Sequence, residues 1–311
     1  MRDGGYRGPV IDAHHHLWAL ADRRYPWLRP DVLVPHRYGD YSAIKRDYGV
    51  DDLLRDAQGQ HLVATVSMEA EWDPDDPVGE TVALGQVAAT TGVPGAMAAQ
   101  ARLDAEDVVD VLTAQASSPS VRSIRQKPGG PARLADVGSG RTLMGEPRWR
   151  AGYALLADHG LHFELQTPWW NLHEAAELAT DHPETLIVVN HGGVLLDHRR
   201  ETFDGWRAAV SAVADRPNVV VKASGLCTEA DGWDPVVNRE VLMTLVDVFG
   251  ADRVMFGSNF PVDGLFTTYA AMLDGLRSIL GVLSEQEQRA VFHDTADRVY
   301  RPTRIHEEFR T

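Results

Sequence analysis

The segment Asp12-Ala13-His14-His15-His16 places three imidazoles and a carboxylate within five residues. On an extended strand side chains alternate with a period of two, so Asp12, His14 and His16 are expected on one face and His15 on the other. Neutral imidazole is a common ligand for zinc and similar ions, and two on neighbouring inward positions make half a metal site. A His-x-His pair by itself is also met as a fortuitous polar stretch, so the reading depends on partners elsewhere in the chain.

Several partners are available. His191 ends the run Leu186-Ile187-Val188-Val189-Asn190-His191 and is followed by Gly192 and Gly193. It is expected to share a face with Ile187 and Val189, and at a strand end it suits a metal ligand or a general acid/base. Arg125, with Ser123 and Lys127 on its face, and Lys222, with Val220 and Ser224 on its face, set positive charge in apolar surroundings. Such charges are tolerated when they hold an anionic substrate or when they pair internally, for Arg125 with Glu69 or Glu164. Glu69 and Glu71 share a strand face, where one of them could complete a metal site, act as a base or enter a salt bridge. Gln166 could orient a substrate through its amide. Trp169 and Trp170 could wall the pocket or simply pack.

These residues need a scaffold that brings distant strand ends together. Short runs rich in Val, Ile and Phe alternate with stretches of helical period, as repeated βα units do. Eight strands are predicted, at about 9–16, 61–69, 93–101, 121–127, 162–167, 186–191, 218–224 and 252–259. Amphipathic helices lie between them: Phe203, Trp206, Val210 and Val213 fall on one face, as do Leu242, Leu245, Val246 and Phe249. Asp51 and Ser284 are read as capping residues. An open doubly wound sheet shares the alternation, but no Gly-x-Gly-x-x-Gly follows the first strand. Eight repeats with chemistry at strand ends favour an α/β fold of the closed (β/α)8 TIM-barrel type, as a single domain over 1–311. Long loop insertions are expected at about 19–49 and 128–147.

Composition narrows the partners. The chain has 311 residues, of which 30 are Lys or Arg and 45 Asp or Glu, a formal charge of −15 that disfavours nucleic acid and anionic membrane surfaces. Cys227 is the sole cysteine, so no intramolecular disulfide forms. With no signal-like apolar segment near the N-terminus, a cytoplasmic location is the expectation. A homo-oligomer is left open.

Together, DAHHHLW, RYPWL, VRSIRQ, VVNHGG, NVVVKASGL and MFGSNFPVD resemble the amidohydrolase-related family that includes sugar-acid lactonases and pyrone-dicarboxylate lactonase. The resemblance covers almost the whole chain. It implies that His14 and His16, joined by His191, bind a divalent metal or face a substrate carbonyl. The resemblance is consistent with one zinc held by His14, His16 and His191 with Glu69, or with no metal. The chain departs from the family's FGSDWP at Asn259, which cannot be a general base, and has Gln166 where many members carry histidine or lysine. Asp263 or Glu69 would then replace the missing carboxylate.

The leading expectation is a hydrolase that opens a lactone of a small anionic substrate. His14, His16 and His191 would polarise the carbonyl, Arg125 and Lys222 would hold a carboxylate, and His191, Asn259 and Asp263 would serve the attacking water. The alternatives are a metal-assisted decarboxylase of a small aromatic or unsaturated acid and a catalytically silent barrel that binds a metabolite.

Overall fold

The computed structural model describes residues 5–21, 24–34, 39–131, 133–138, 140–195, 199–228 and 232–309. Eight strands form one parallel sheet in sequence order: β1 Val10–His15, β2 Leu62–Met68, β3 Ala96–Gln100, β4 Val121–Arg125, β5 His162–Leu165, β6 Ile187–Val189, β7 Val219–Ala223 and β8 Val254–Phe256. Each falls inside its predicted segment. Every pairing along this order is parallel, and β1 meets the end of β8 through the bridge between His15 and Phe260. Hydrogen bonds from His16 N to Phe260 O at 2.8 Å and from Asn259 N to His14 O at 2.6 Å close the ring. The alternating β and α elements thus make a (β/α)8 barrel.

The strands are buried on both faces, which is why they read as apolar runs rather than as alternating ones. Inside the ring, Ile11, Ala13, Ala64, Val66, Ala96, Ala98, Val188, Val220 and Met255 form a packed plug. The helix Thr295–Tyr300 caps its N-terminal end: Arg122 Nε donates to Tyr300 O at 2.9 Å and His162 Nε2 lies 3.0 Å from Val299 O. Outside, the stripes predicted from periodicity are buried in Arg200–Ala214 (Phe203, Trp206, Val210, Val213) and Pro235–Phe249 (Leu242, Leu245, Val246, Phe249). Burying one such side chain contributes about 1.5–3 kcal/mol relative to leaving it exposed, which is what binds the helical layer to the sheet.

Ser284 caps Glu285–Arg289 as expected, in a reciprocal box with Glu287. Asp51 does not cap: the helix Val50–Asp56 begins one residue earlier, Gly49 is its N-cap, and Asp52 accepts from Gly49 N at 3.1 Å. The two long connections are present, and positions 22–23, 35–38, 132 and 139 within them lie outside the described residues. The first is packed rather than loose, since Tyr25, Leu28, Tyr41, Ile44 and Tyr48 are all buried. No helix among the described residues is long and apolar enough to cross a membrane.

Candidate active site

The C-terminal ends of the strands collect the histidines. The rings of His14 and His16 lie 5.4 Å apart between centroids, and those of His14 and His191 lie 4.5 Å apart. Three imidazoles separated by up to 177 positions, from 14 to 191, therefore meet at one end of the barrel. They do not arrive by plain alternation. Ile11 and Ala13 belong to the inner plug, whereas Asp12 turns away and accepts from Ser258 Oγ at 2.6 Å and Tyr269 OH at 3.1 Å. The shared face expected for Asp12, His14 and His16 is thus corrected. The pairing of β1 with β2 advances three residues on β1, from Asp12 to His15, against two on β2, a bulge that re-aims the side chains beyond it.

The aim of His191 is also set by backbone. Ile187 and Val189 face the helical layer and Val188 the plug, so a continued strand would carry His191 outwards with Ile187 and Val189. Instead His191, Gly192, Gly193 and Val194 all have positive φ (55°, 58°, 79° and 47°), a single left-handed turn. Residues other than glycine rarely adopt this conformation, and it persists only where surroundings enforce it. Trp206 Nε1 donates to Gly192 O at 2.7 Å, and Ser224 Oγ lies 2.9 Å from His191 Nδ1.

Burial favours the uncharged form of His14 and His16. The proton affinities of His14 and His16 are pushed well below the usual histidine range, first by loss of solvent and then by a neighbouring group that disfavours a second charge, the His191 ring for His14 and the Arg125 guanidinium for His16. His15, equally buried, is pushed down to about 3 by the same loss of solvent. With its proton on Nδ1, His16 donates to Met68 O at 3.0 Å and keeps Nε2 as the basic nitrogen. Both ring nitrogens of His14 are buried without a hydrogen-bond partner among the described residues, which leaves them for a bound molecule.

Lys222 is placed differently from the sequence expectation. Its ammonium is fully buried, 2.8 Å from Glu164 Oε2 and 3.2 Å from Met68 Sδ, over the Tyr300 ring. Glu164 also accepts from Asn190 Nδ2 at 2.6 Å, Ser123 Oγ at 3.3 Å and Tyr300 OH. The reading of Lys222 as a substrate-carboxylate ligand is therefore corrected to an internal ion pair, because an anion would have to displace Glu164 from a closed network. Burial still lowers the lysine's proton affinity to about 8.

Arg125 likewise takes the internal partner. It is 4% exposed, with Nη1 3.3 Å from Glu69 Oε1 and donating to Glu69 O at 2.8 Å, while Nη2 donates to Gln166 Oε1. Gln166 is thus brought to the cluster as the orienting partner of Arg125. Glu69 is held further by Glu71 N, which donates to its Oε2 at 2.8 Å.

Asn259, at φ 57°, donates from Nδ2 to Asp263 Oδ1 at 2.7 Å, and Leu226 N donates to Asp263 Oδ2 at 3.1 Å. The amide stands where the chain departs from the related motif, and the carboxylate expected to compensate sits directly behind it. Trp169 is held by packing. The turn Trp169–Asn171 packs it against Trp170 and over Gly205, where an added Cβ would stand 2.5 Å from its ring.

A divalent ion held by His14, His16, His191 and Glu69 was one expectation. Among the described residues, no group of three or more His, Cys, Asp or Glu side chains is arranged to hold a metal ion. Glu69 is committed to Arg125 and to Glu71 N, while the Ser224 contact of His191 is made at Nδ1. Glu69 is thus drawn out of the expected set by its own partners. The orphaned nitrogens of His14 offer a place for a polar ligand atom but do not make up a cage.

Three polar residues carry more of the arrangement than their sequence context gives away. Asp12 pins Ser258 and Tyr269 and has its carboxyl raised to about 6 by burial. Asn190 reaches Glu164, and Ser224 reaches His191. The available signal was a polar residue inside or directly after an apolar buried strand.

A sequence model of the amidohydrolase family matches residues 11–301. The uncharacterized protein y4mH of Sinorhizobium fredii is 38% identical over 297 residues, covering 94% of this chain and 98% of that one. An L-fucono-1,5-lactonase of Burkholderia ambifaria is 30% identical over 272 residues, 85% of each chain. Among solved structures, an amidohydrolase from Burkholderia multivorans with bound zinc superposes with a TM-score of 0.79 at 25% identity, covering 94% of this chain and 99% of that one. With a barrel of this order, a histidine cluster at its strand ends and a match over nearly its whole length, the chain belongs to the amidohydrolase family of hydrolases.

Proposed function

We propose that the protein hydrolyses a lactone, with the carbonyl bound at His14. The observation that carries this reading is the pair of unpartnered, buried nitrogens of His14 beside His16 and His191. A neutral imidazole donates one N–H to a carbonyl oxygen and remains uncharged while negative charge builds there, which lowers the barrier to attack. The water oxygen adds to the acyl carbon, the ring C–O bond breaks, and the departing ring oxygen takes a proton. His191, backed by the Ser224 hydroxyl, is the base that accepts the water's proton and passes it to the ring oxygen. Asn259, fixed by Asp263, orients the water without removing its proton.

A lactone suits this centre because its leaving group needs less base power than an amide's. The lactonase named among the relatives supports the same class. Arg125 and Gln166 bound the site as one hydrogen-bonded unit beside His16.

The test is ring opening of a lactone panel, followed as acid release, by wild type and His14→Ala. Loss of one such polarising donor is expected to slow turnover about 100- to 1,000-fold. An unchanged rate in the variant would remove the proposed centre. Elemental analysis of dialysed protein, with rates before and after chelation, tests whether a metal contributes.

A further inference from the structure

Beside the histidine cluster lies a cavity of about 530 Å³, inside the range of roughly 300–1,000 Å³ typical of small-molecule sites. Its outer wall is apolar: Trp27, Val32 and Val34 come from the long connection after β1, and Trp72 and Pro74 from the segment after β2. Its lining includes Glu69 and Arg125, and Arg125 neighbours His16, so the cavity borders the cluster. His16 reaches the carbonyl of Met68, the residue next to Glu69, and its ring lies 6.1 Å from that of Trp18, which in turn lies 5.7 Å from that of Trp27.

The wall has little left to offer a polar guest. Trp27 spends its indole N–H on Ala70 O at 2.8 Å, and that of Trp72 points to Asp76 Oδ2 at 3.4 Å. Three of the lining cations are paired, Arg125 with Glu69, Lys127 with Glu71 and Arg102 with Asp104 at 3.2 Å, and Arg29, Gln100 and Gln126 complete the polar part of the lining. Hydroxyl groups entering here would give up water for hydrocarbon, and a carboxylate would compete with acids already in place.

We infer that the substrate is a lactone bearing a neutral apolar arm, with its ring at His14 and the arm lodged against Trp27 and Trp72. This rests on the hydrolysis reading and adds to it the class of substituent. Such a substrate differs from an unsubstituted polyhydroxy lactone, whose polar edge would meet the apolar wall. Each methylene carried into the cavity is expected to raise kcat/KM about fourfold.

The experiment compares kcat/KM for γ-lactones carrying a methyl, pentyl or phenylethyl group on the carbon beside the ring oxygen, and for a polyhydroxylated aldonolactone. In parallel, calorimetry measures binding of the phenylethyl γ-lactam, which mimics the ring but resists opening. The expected result is a rise of at least tenfold from methyl to phenylethyl, with that ratio reduced at least fivefold in Val34→Asp and in Trp72→Ala. Val34 is 39% exposed, so its replacement leaves the core intact. Lactones opened equally well whatever the arm, or best as the aldonolactone, would overturn the inference and leave hydrolysis standing. Lactam binding that Val34→Asp abolishes, without opening of any lactone, would keep the cavity's ligand class and remove the hydrolysis reading. Neither binding nor opening would overturn both.

Discussion

The side-chain amide of Asn259 donates to the carboxylate of Asp263 at 2.7 Å, four residues on and fully buried. The sequence alone invites the view that Asn259→Asp restores a missing base and retains or raises activity. The geometry changes that expectation, because a second carboxylate would face the first at hydrogen-bond distance. Two such groups cannot both ionise cheaply, so one must keep a proton. A carboxyl whose folded affinity is raised above the unfolded value stabilises the fold less as pH rises through that window. Asn259→Asp is therefore expected to melt lower than wild type at pH 8 and to recover towards wild type near pH 5. Thermal melts across this range check it, and a constant difference would mean the contact does not couple the two groups.

Lys222 and Glu164 make a second, separable prediction. Lys222→Met leaves a buried carboxylate without its cation, which costs about 3–5 kcal/mol. Adding Glu164→Gln should return a large part of that loss. Denaturant titration of the single and double variants measures it. If Lys222 instead held substrate, the single variant would keep its stability and show a raised KM.

Glu80 gives a pH dependence of defined sign. Its carboxyl is raised to about 8, chiefly by burial and then by the nearby charge of Glu69, although both oxygens accept from Ala70 N at 3.1 and 3.2 Å. The unfolded chain releases this proton near 4.3, so the folded state holds the extra proton between about pH 4 and 8. Stability contributed by that proton is lost as pH rises through the window. Glu80→Gln should flatten this part of the melting curve against pH, and an unaltered slope would assign the effect elsewhere.

Gly193 tests whether backbone aims His191. An alanine there would hold its Cβ 2.8 Å from Leu172 Cδ1 at φ 79°. The conformational penalty is about 1 kcal/mol, with the clash added to it. Gly193→Ala is expected to lower kcat by tenfold or more while the melting temperature falls by only a few degrees. Equal activity at lowered stability would show that the turn serves packing alone.

The barrel was legible because its strands are apolar on both faces and its helices on one, a pattern that survives errors of two or three residues at each end. The meeting of His14, His16 and His191 was legible from the rule that barrels place chemistry at strand ends. The routes by which they meet were not. Straight alternation puts Asp12 with His14 and His191 with Ile187, and it fails where a bulge and a left-handed turn intervene. Neither device has a composition cue beyond the glycines at 192 and 193. Charge partners were only half legible: Arg125 with Glu69 was among the choices, but the lysine's pairing with Glu164 depends on which strands face each other across the ring.

The seam between the first strand and the end of the eighth is stitched by backbone bonds from His16 and Asn259, the same stretches that supply the proposed centre. The first and last strands are 239 positions apart, from His15 to Val254, so a nascent chain has synthesised most of its length before the two can touch. Competence and completion thus coincide: no half-length fragment can carry a functioning centre, and the appearance of turnover during refolding reports the moment at which the ring shuts.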